Sequence, residues 1–453
     1  MKPVAAPAFL LVSALLSALP AHAEPKPGQS LDKIKNIVVI YLENHSFDNL
    51  YGTFPGADGI ASVKPEATRQ TDAKGQPYAT LPRPLDTRQE PPAPDSRFPA
   101  DLPNQPFDIG RFVPANEKIG DLVHRFYQHQ AQINGGRNDR FAAVSDAAGL
   151  AMGYYDGKML PLWDFAKRYT LADHFFQGTF GGSFLNHMWL TCACTPRHPN
   201  PPTELVAVLN EKGELVKDGQ ITPDGYAVNT MFSAVAPVSP KVKDPKMNLP
   251  ILTQPTIGDE LSDKKVSWAW YSGGWNDALA GKPDETFQFH HQPYIYFQRY
   301  GEGSPDRAAH LKDEADFIKA IEKGTLPAVS FYKPLGKYNE HPGYANLLFG
   351  DQHAAEILAK IEKSPQWPHT LVIVTYDEFG GFWDHVAPPK GDRWGPGSRV
   401  PTLIVSPFAR KGYVDHTTYD TTSILRFIER RFGLPPISER DAKANDLSGA
   451  LDL

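Results

Sequence analysis

Polarity along this chain is organised as short apolar runs that stop abruptly on charged or amide residues. Residues 37–42 (IVVIYL) are apolar to the end and run into Glu43-Asn44. Residues 370–376 (TLVIVTY) run into Asp377-Glu378, and 327–333 (PAVSFYK) lead to a loop carrying Glu340-His341-Pro342-Gly343. Two further runs, 266–271 (VSWAWY) and 401–405 (PTLIV), complete the predicted central set. Continuous apolar runs of this length, bounded by turn residues, predict strands covered on both faces. Helical patterns lie between them. Residues 308–323 place Leu311, Ala315, Phe317, Ile318 and Ile321 near one face, and 353–363 and 420–432 behave alike. Strands alternating with helices predict an α/β fold with a central, mainly parallel sheet flanked by helices. Such sheets gather ligands beyond the carboxyl ends of their strands, where the polar pairs fall.

Residues 1–23 are set apart. One Lys at position 2, an apolar stretch and Ala-His-Ala before Glu24 form the pattern of a secretory signal peptide. The stretch is too short and wrongly flanked for a membrane span, and no other long apolar run occurs. The expectation is a soluble, exported protein, periplasmic or secreted, with no stable membrane span. The 43 prolines and 36 glycines imply long, ordered loops. Loop-rich excursions are expected at about 60–120 and 195–260, with 83–108 Pro-rich and irregular. The formal charge of −6 and the lack of a basic run argue against nucleic acid as a partner. Cys192 and Cys194 are too close in sequence for a relaxed disulfide, so two buried thiols are expected.

Four motifs could carry chemistry. Glu43-Asn44 offers a carboxylate and an amide oxygen that suit a hard cation, or else a turn or cap. Asp377 and Glu378, followed by Gly380-Gly381 and Asp384-His385, offer more oxygen and nitrogen ligands, or else a charged loop. Gly181-Gly182-Ser183 opens a predicted helix at 184–193. A Ser there faces backbone N–H groups that hold phosphate, or serves only as an N-cap. Asn186 follows on the same side, within reach of a phosphoryl oxygen. His124, His129, the pair His290-His291 and His341 could bind phosphoryl oxygens or protonate a leaving group.

In chain order, VVIYLENHSFDNLYGTFPGADG (38–59), HRFYQHQAQINGGRNDRF (124–141), MGYYDGKMLPLWDFAKRYTLADHFF (152–176), SFLNHMWL (183–190), NEHPG (339–343), GDQHAAEILAKIEKSPQW (350–367) and VTYDEFGGFWDHVAPP (374–389) resemble a known series. It is that of the bacterial phosphoesterase family of acid phosphatases and phosphatidylcholine-type phospholipases C, within the alkaline-phosphatase-like superfamily. The resemblance implies an alkaline-phosphatase-like fold with long loop insertions, and a single catalytic domain over 24–453. It implies Glu43, Asn44, Asp377 and Glu378 as ligands of one divalent metal ion of unknown identity. Ser183 is the implied nucleophile, Asn186 a substrate contact, and His124, His290, His291 and His341 surround the phosphoryl group. His129 competes with His124 for its place. Asp384-His385 would support the ligands or form a second metal site. Phospholipase C members tend to have Thr at position 183 with Pro-Asn close behind, whereas Ser-Phe-Leu-Asn leans toward acid phosphatase. So does the expectation that the extra C-terminal β domains of larger phospholipases C do not follow RFGLPPISERD.

The expected reaction is hydrolysis of a small phosphate monoester through a phosphoseryl intermediate. Histidine protonation below about pH 6.5 would favour an acidic optimum. The alternative is a phospholipase C-type phosphodiesterase, and a remote one is a non-catalytic phosphate-binding protein. A sulfatase is disfavoured because no Cys/Ser-x-Pro-x-Arg pattern follows Ser183.

Overall fold

The computed structural model describes residues 31–453, so the expected signal peptide lies outside the described residues. The central sheet is built from β1 (Asn36–Leu42), β2 (Thr170–Ala172), β3 (Trp268–Ser272), β4 (Leu311–Asp313), β5 (Val329–Lys333), β6 (Thr370–Tyr376), β7 (Thr402–Val405) and β8 (Tyr413–Asp415). Its spatial order is β4-β3-β5-β1-β6-β7-β2-β8. Every neighbouring pair is parallel except the two made by β7, which runs against β6 and β2. The helices that matter below are α1 (Phe47–Tyr51), α2 (Phe126–Ile133), α3 (Pro161–Arg168), α4 (Ser183–Cys192), α5 (Pro305–His310), α6 (Glu314–Lys323), α7 (Leu347–Glu362) and α8 (Thr421–Phe432).

All five predicted strands are present, and β1 and β6 are buried along their whole length. That is the state their unbroken apolar runs require, because a strand covered on both faces has no polar side to show. Helices predicted at 353–363 and 420–432 appear as α7 and α8. The helix predicted over 308–323 is instead α5, strand β4 and α6. Asp313 explains the break: its side chain accepts from the Ala315 backbone N–H, and with Asp316 it forms a capping box that starts a new helix. The three-residue strands β2 and β8 carry too few positions to show a period.

The Pro-rich segment 83–108 is ordered. Leu85–Asp86 pairs with Ala93–Pro94, and Phe107–Asp108 pairs with Gly153–Tyr154. Phe98 and Leu102 are buried. Thr87 donates to the Asp121 carbonyl at 2.5 Å, and Arg88 and Arg97 each donate to the Lys118 carbonyl at 3.1 Å.

Two expectations about α4 are corrected. Gly182, not Ser183, is the N-cap, and Ser183 is the first helical residue. Cys192 and Cys194 are joined in a disulfide. Ala193 ends the helix at φ 44°, and this left-handed bend brings the two Cα atoms to 5.1 Å, within ordinary disulfide range.

Candidate active site

The sheet register sets the first contacts. β1 lies between β5 and β6, with Leu42 opposite Tyr376. The Asp377 backbone N–H donates to the Leu42 carbonyl at 3.0 Å, so Glu43 and Asp377 leave the sheet side by side. Lys333, the last residue of β5, projects between them. Its ammonium is 2.8 Å from Glu43 Oε1 and 3.6 Å from Asp377 Oδ2, and all three side chains are buried.

Two glycines close the rest. Gly380, at φ +64°, lies so near Asn44 that a Cβ would meet the Asn44 carbonyl oxygen at 2.0 Å. Gly181, at φ +87°, lets the turn before α4 press on the start of α2, where a Cβ would meet the Phe126 backbone nitrogen at 2.7 Å. The Ser183 hydroxyl therefore arrives 3.4 Å from Asn44 Oδ1 and 3.4 Å from Glu378 Oε1.

Ser183 lies on the wall of a cavity of about 390 Å³ that is also lined by Glu43, His124, His290, His291 and His341. His124 Nε2 is 3.6 Å from Glu378 Oε1 and 3.5 Å from Asn44 Nδ2. The His124 and His341 rings meet edge to face at 5.6 Å. His291 Nε2 touches Glu43 Oε1.

Charge in the site is unevenly satisfied. Burial alone would push the Glu43 carboxyl up, but His291 and Lys333 outweigh it and hold Glu43 well below the usual carboxylate range. Its other oxygen accepts from Asn339 at 2.7 Å and Tyr344 at 3.0 Å. Burial drives Asp377 well above that range despite Lys333, and burial with the Asp377 charge does the same to Glu378. Among the described residues neither Asp377 oxygen has a hydrogen bond, nor does His290 Nδ1 or His187 Nε2. Buried polar atoms without partners are costly, and a positive ion among Asn44, Asp377 and Glu378 would satisfy the carboxylates while displacing their protons. The donor set is three oxygens with the Ser183 hydroxyl beside them, which fits a divalent cation.

The predicted residues separate into two groups. Glu43, Asn44, Asp377, Glu378, Ser183, His124, His290, His291 and His341 come together. His129 does not: its ring stacks on Phe379 at 3.6 Å, bonds Ser398 at 2.9 Å and accepts from the Gly181 N–H at 3.0 Å. Asn186 is wholly buried with its amide committed to the turn. It accepts from the Thr179 N–H at 3.1 Å and donates to the Gly182 carbonyl at 3.1 Å, so it braces the turn under Ser183 and has no free group for substrate. Asp384 and His385 belong to a separate network around Arg399. The expected protonation of the histidines near pH 6.5 also needs correction. Burial pushes His291 down to about 4 and holds His290 well below its ordinary value, so both are neutral there.

Lys333, His187, Asn339 and Tyr344 were not signalled by sequence. Lys333 reads as the polar end of a strand. His187 sits inside an apolar helix, where it is buried and its Nδ1–H donates to the Ser183 carbonyl at 2.8 Å. Asn339 and Tyr344 flank the recognised Glu-His-Pro-Gly stretch.

A buried acid–imidazole cavity thus surrounds a helix-start serine at the carboxyl edge of a mainly parallel sheet. The phosphoesterase family model matches residues 34–435, and the chain belongs to that family. It is similar to a non-hemolytic phospholipase C of Pseudomonas aeruginosa, 25% identical over 98% of this chain and 60% of that protein. It is also similar to phospholipase C B of Mycobacterium tuberculosis, 26% identical over 95% of this chain and 80% of that one. A crystal structure of a protein in the alkaline phosphatase superfamily from Vibrio parahaemolyticus matches 73% of each chain at 12% identity and a TM-score of 0.33. Among the described residues no helix is long and apolar enough to cross a membrane.

Proposed function

We propose that this protein hydrolyses phosphate monoesters with Ser183 as nucleophile, aided by one divalent metal ion. The observation that carries this reading is the Ser183 hydroxyl, 3.4 Å from both Asn44 Oδ1 and Glu378 Oε1, on a cavity wall shared with four histidines. Asn44, Asp377 and Glu378, with the Glu43 oxygen that also faces Lys333, would hold the ion. When bound, the ion supplies positive charge that lowers the pKa of a nearby hydroxyl. Ser183 attacks phosphorus in line, and the ester oxygen leaves with its alcohol. His341 or His291 delivers a proton to that oxygen, since a bound dianion raises the pKa of imidazoles around it. The remaining histidines donate to the equatorial oxygens, where charge must be balanced. Water then cleaves the phosphoserine.

A monoester presents three non-bridging oxygens, and four imidazoles around the cavity answer that demand better than the two oxygens of a diester need. A second reading, phosphodiester cleavage of a choline-type lipid, is favoured by one feature of the wall. Asp121 and Asp146 line the same cavity, and among the described residues Asp121 Oδ1 has no hydrogen bond, so a cationic headgroup has a carboxylate to meet. Assay of p-nitrophenyl phosphate beside p-nitrophenylphosphorylcholine from pH 4 to 9, with and without chelation, separates the readings. Chelator-sensitive monoester hydrolysis supports the first. Diester hydrolysis alone supports the second, and phosphate binding with neither activity would leave only a binding protein.

A further inference from the structure

The carboxyl edge of the sheet carries a second cluster, far along the strand order from β1, β5 and β6. β2 and β8 are parallel neighbours in which Ala172 lies opposite Asp415. The next residues, Asp173-His174 and His416, therefore emerge together. Asp173 is wholly buried. Its Oδ1 is 2.8 Å from His174 Nδ1 and its Oδ2 is 2.8 Å from His416 Nδ1. The loop after α1 adds Asp58, whose backbone N–H donates to Asp173 Oδ2 at 2.7 Å and whose Oδ2 is 3.4 Å from His174 Nε2. One oxygen of Asp173 and one nitrogen from each imidazole lie within 4.8 Å of one another.

Among the described residues no Lys or Arg forms an ion pair with either carboxylate. The guanidinium of Arg399 is near, but it contacts Asp58 and Asp173 only through their backbone carbonyls, each at 2.8 Å. Its charge goes to the carboxylates of Asp384 at 2.8 Å and Asp48 at 3.2 Å. Among the described residues, only imidazoles pair with Asp58 and Asp173: His174 and His385 with the first, His174 and His416 with the second. Burial would push both carboxyls up, yet His385, the Ser62 hydroxyl and the charge of Arg399 hold Asp58 below the usual carboxylate range, and His174, the Asp58 backbone N–H and His416 do the same for Asp173. The His416 side chain is 59% exposed and that of Asp58 is 36% exposed, so the cluster opens to solvent on one side.

We propose that Asp173, His174 and His416 form a binding site for a borderline transition metal such as zinc, distinct from the active site. The partly exposed Asp58 carboxylate, outside that triad, would complete the site by rotating toward it. Two imidazole nitrogens with carboxylate oxygens are a four-coordinate zinc set. The ion would replace the two imidazole–Asp173 hydrogen bonds and set a positive charge beside the buried Asp173 carboxylate. It would also tie the loop after α1 to the ends of β2 and β8, three segments that are distant in sequence.

The test is equilibrium dialysis of the full chain against zinc, with elemental analysis, for the wild type, His416→Ala and His174→Gln. His416→Ala alters an exposed side chain and should fold and turn over substrate normally. The wild type is expected to retain one zinc equivalent more than either variant, with zinc affinity at this site lowered at least about tenfold in each. Zinc should also raise the thermal midpoint of the wild type more than that of His416→Ala. Equal zinc content and equal thermal shifts in folded wild type and variants would overturn the proposal. Zinc held by the active site contributes to all three proteins alike, so the difference reports this cluster alone.

Discussion

Two buried cations sit between carboxylates taken from the same two chain segments, and they differ in what surrounds them. Arg399 lies between Asp48 and Asp384, and all its neighbours are paired. Asp48 Oδ2 accepts from the His385 ring at 2.6 Å and from its backbone N–H at 2.8 Å. Asp384 accepts from the backbone N–H groups of Asp48 at 3.1 Å and Val386 at 2.9 Å. Lys333 lies between Glu43 and Asp377, five and seven residues earlier in those segments, but there Asp377, His290 and His187 keep buried atoms without hydrogen bonds among the described residues. The closed network fixes the loops, whereas the open one keeps coordination and hydrogen-bonding capacity for something that is not protein. Between these two cations the difference lies in unpaired polar atoms rather than in charge density.

The sharpest way to break this contrast is at the open cluster. Ser183→Ala should lower turnover of the best phosphoester by at least about a thousandfold, with stability within about 1 kcal/mol of the wild type. Steady-state kinetics beside urea denaturation checks both halves, and substantial residual activity would remove Ser183 as nucleophile. The two cations come next. Arg399→Met leaves buried carboxylates unpaired and should cost about 3–5 kcal/mol, whatever divalent metal is present. Lys333→Met should cost a comparable amount in chelator but less in saturating metal, because the ion can take over part of the charge balance. Equal metal sensitivity of the two variants in urea melts would erase the distinction.

A third test uses pH. His385 is raised to about 9: burial lowers it, but its hydrogen bond and charge pairing with Asp48 win. A raised histidine stabilises the fold fully below its unfolded value near 6.5, and the contribution is lost as pH rises through about 9. The shift corresponds to on the order of 3 kcal/mol. The stability gap between wild type and His385→Gln should therefore be large at pH 6 and small above pH 9.5. A gap that does not change with pH would contradict the pairing. The smallest effect is expected at Asn186→Ala, which loosens the turn under Ser183. It should cost about 1–2 kcal/mol and lower kcat more than it changes KM, whereas a substrate contact would raise KM.

Much of this arrangement was legible in the sequence because strands buried on both faces cannot hide their ends. The unbroken runs before Glu43 and Asp377 announced both the sheet and the edge where ligands collect. Lys333 was not legible, because its meaning depends on β5 lying beside β1, and register between distant segments leaves no local trace. His124 and His129 could not be separated by spacing; His124 lines the cavity with Ser183, whereas His129 accepts from the Gly181 N–H and holds the turn. Asn186 misled for a similar reason, since a helix places it near Ser183 but the turn consumes its amide. The disulfide was missed because sequence separation says nothing of the left-handed Ala193 that closes the distance.

The most direct measurement is a millisecond acid quench of the metal-loaded enzyme with p-nitrophenyl phosphate, followed by peptide mass spectrometry. Phosphoserine at Ser183, rising with the first turnover and absent from both the chelated enzyme and Ser183→Ala, is the predicted result. Rapid p-nitrophenol release with no phosphorylated Ser183 at any quench time, and with Ser183→Ala equally active, would contradict it.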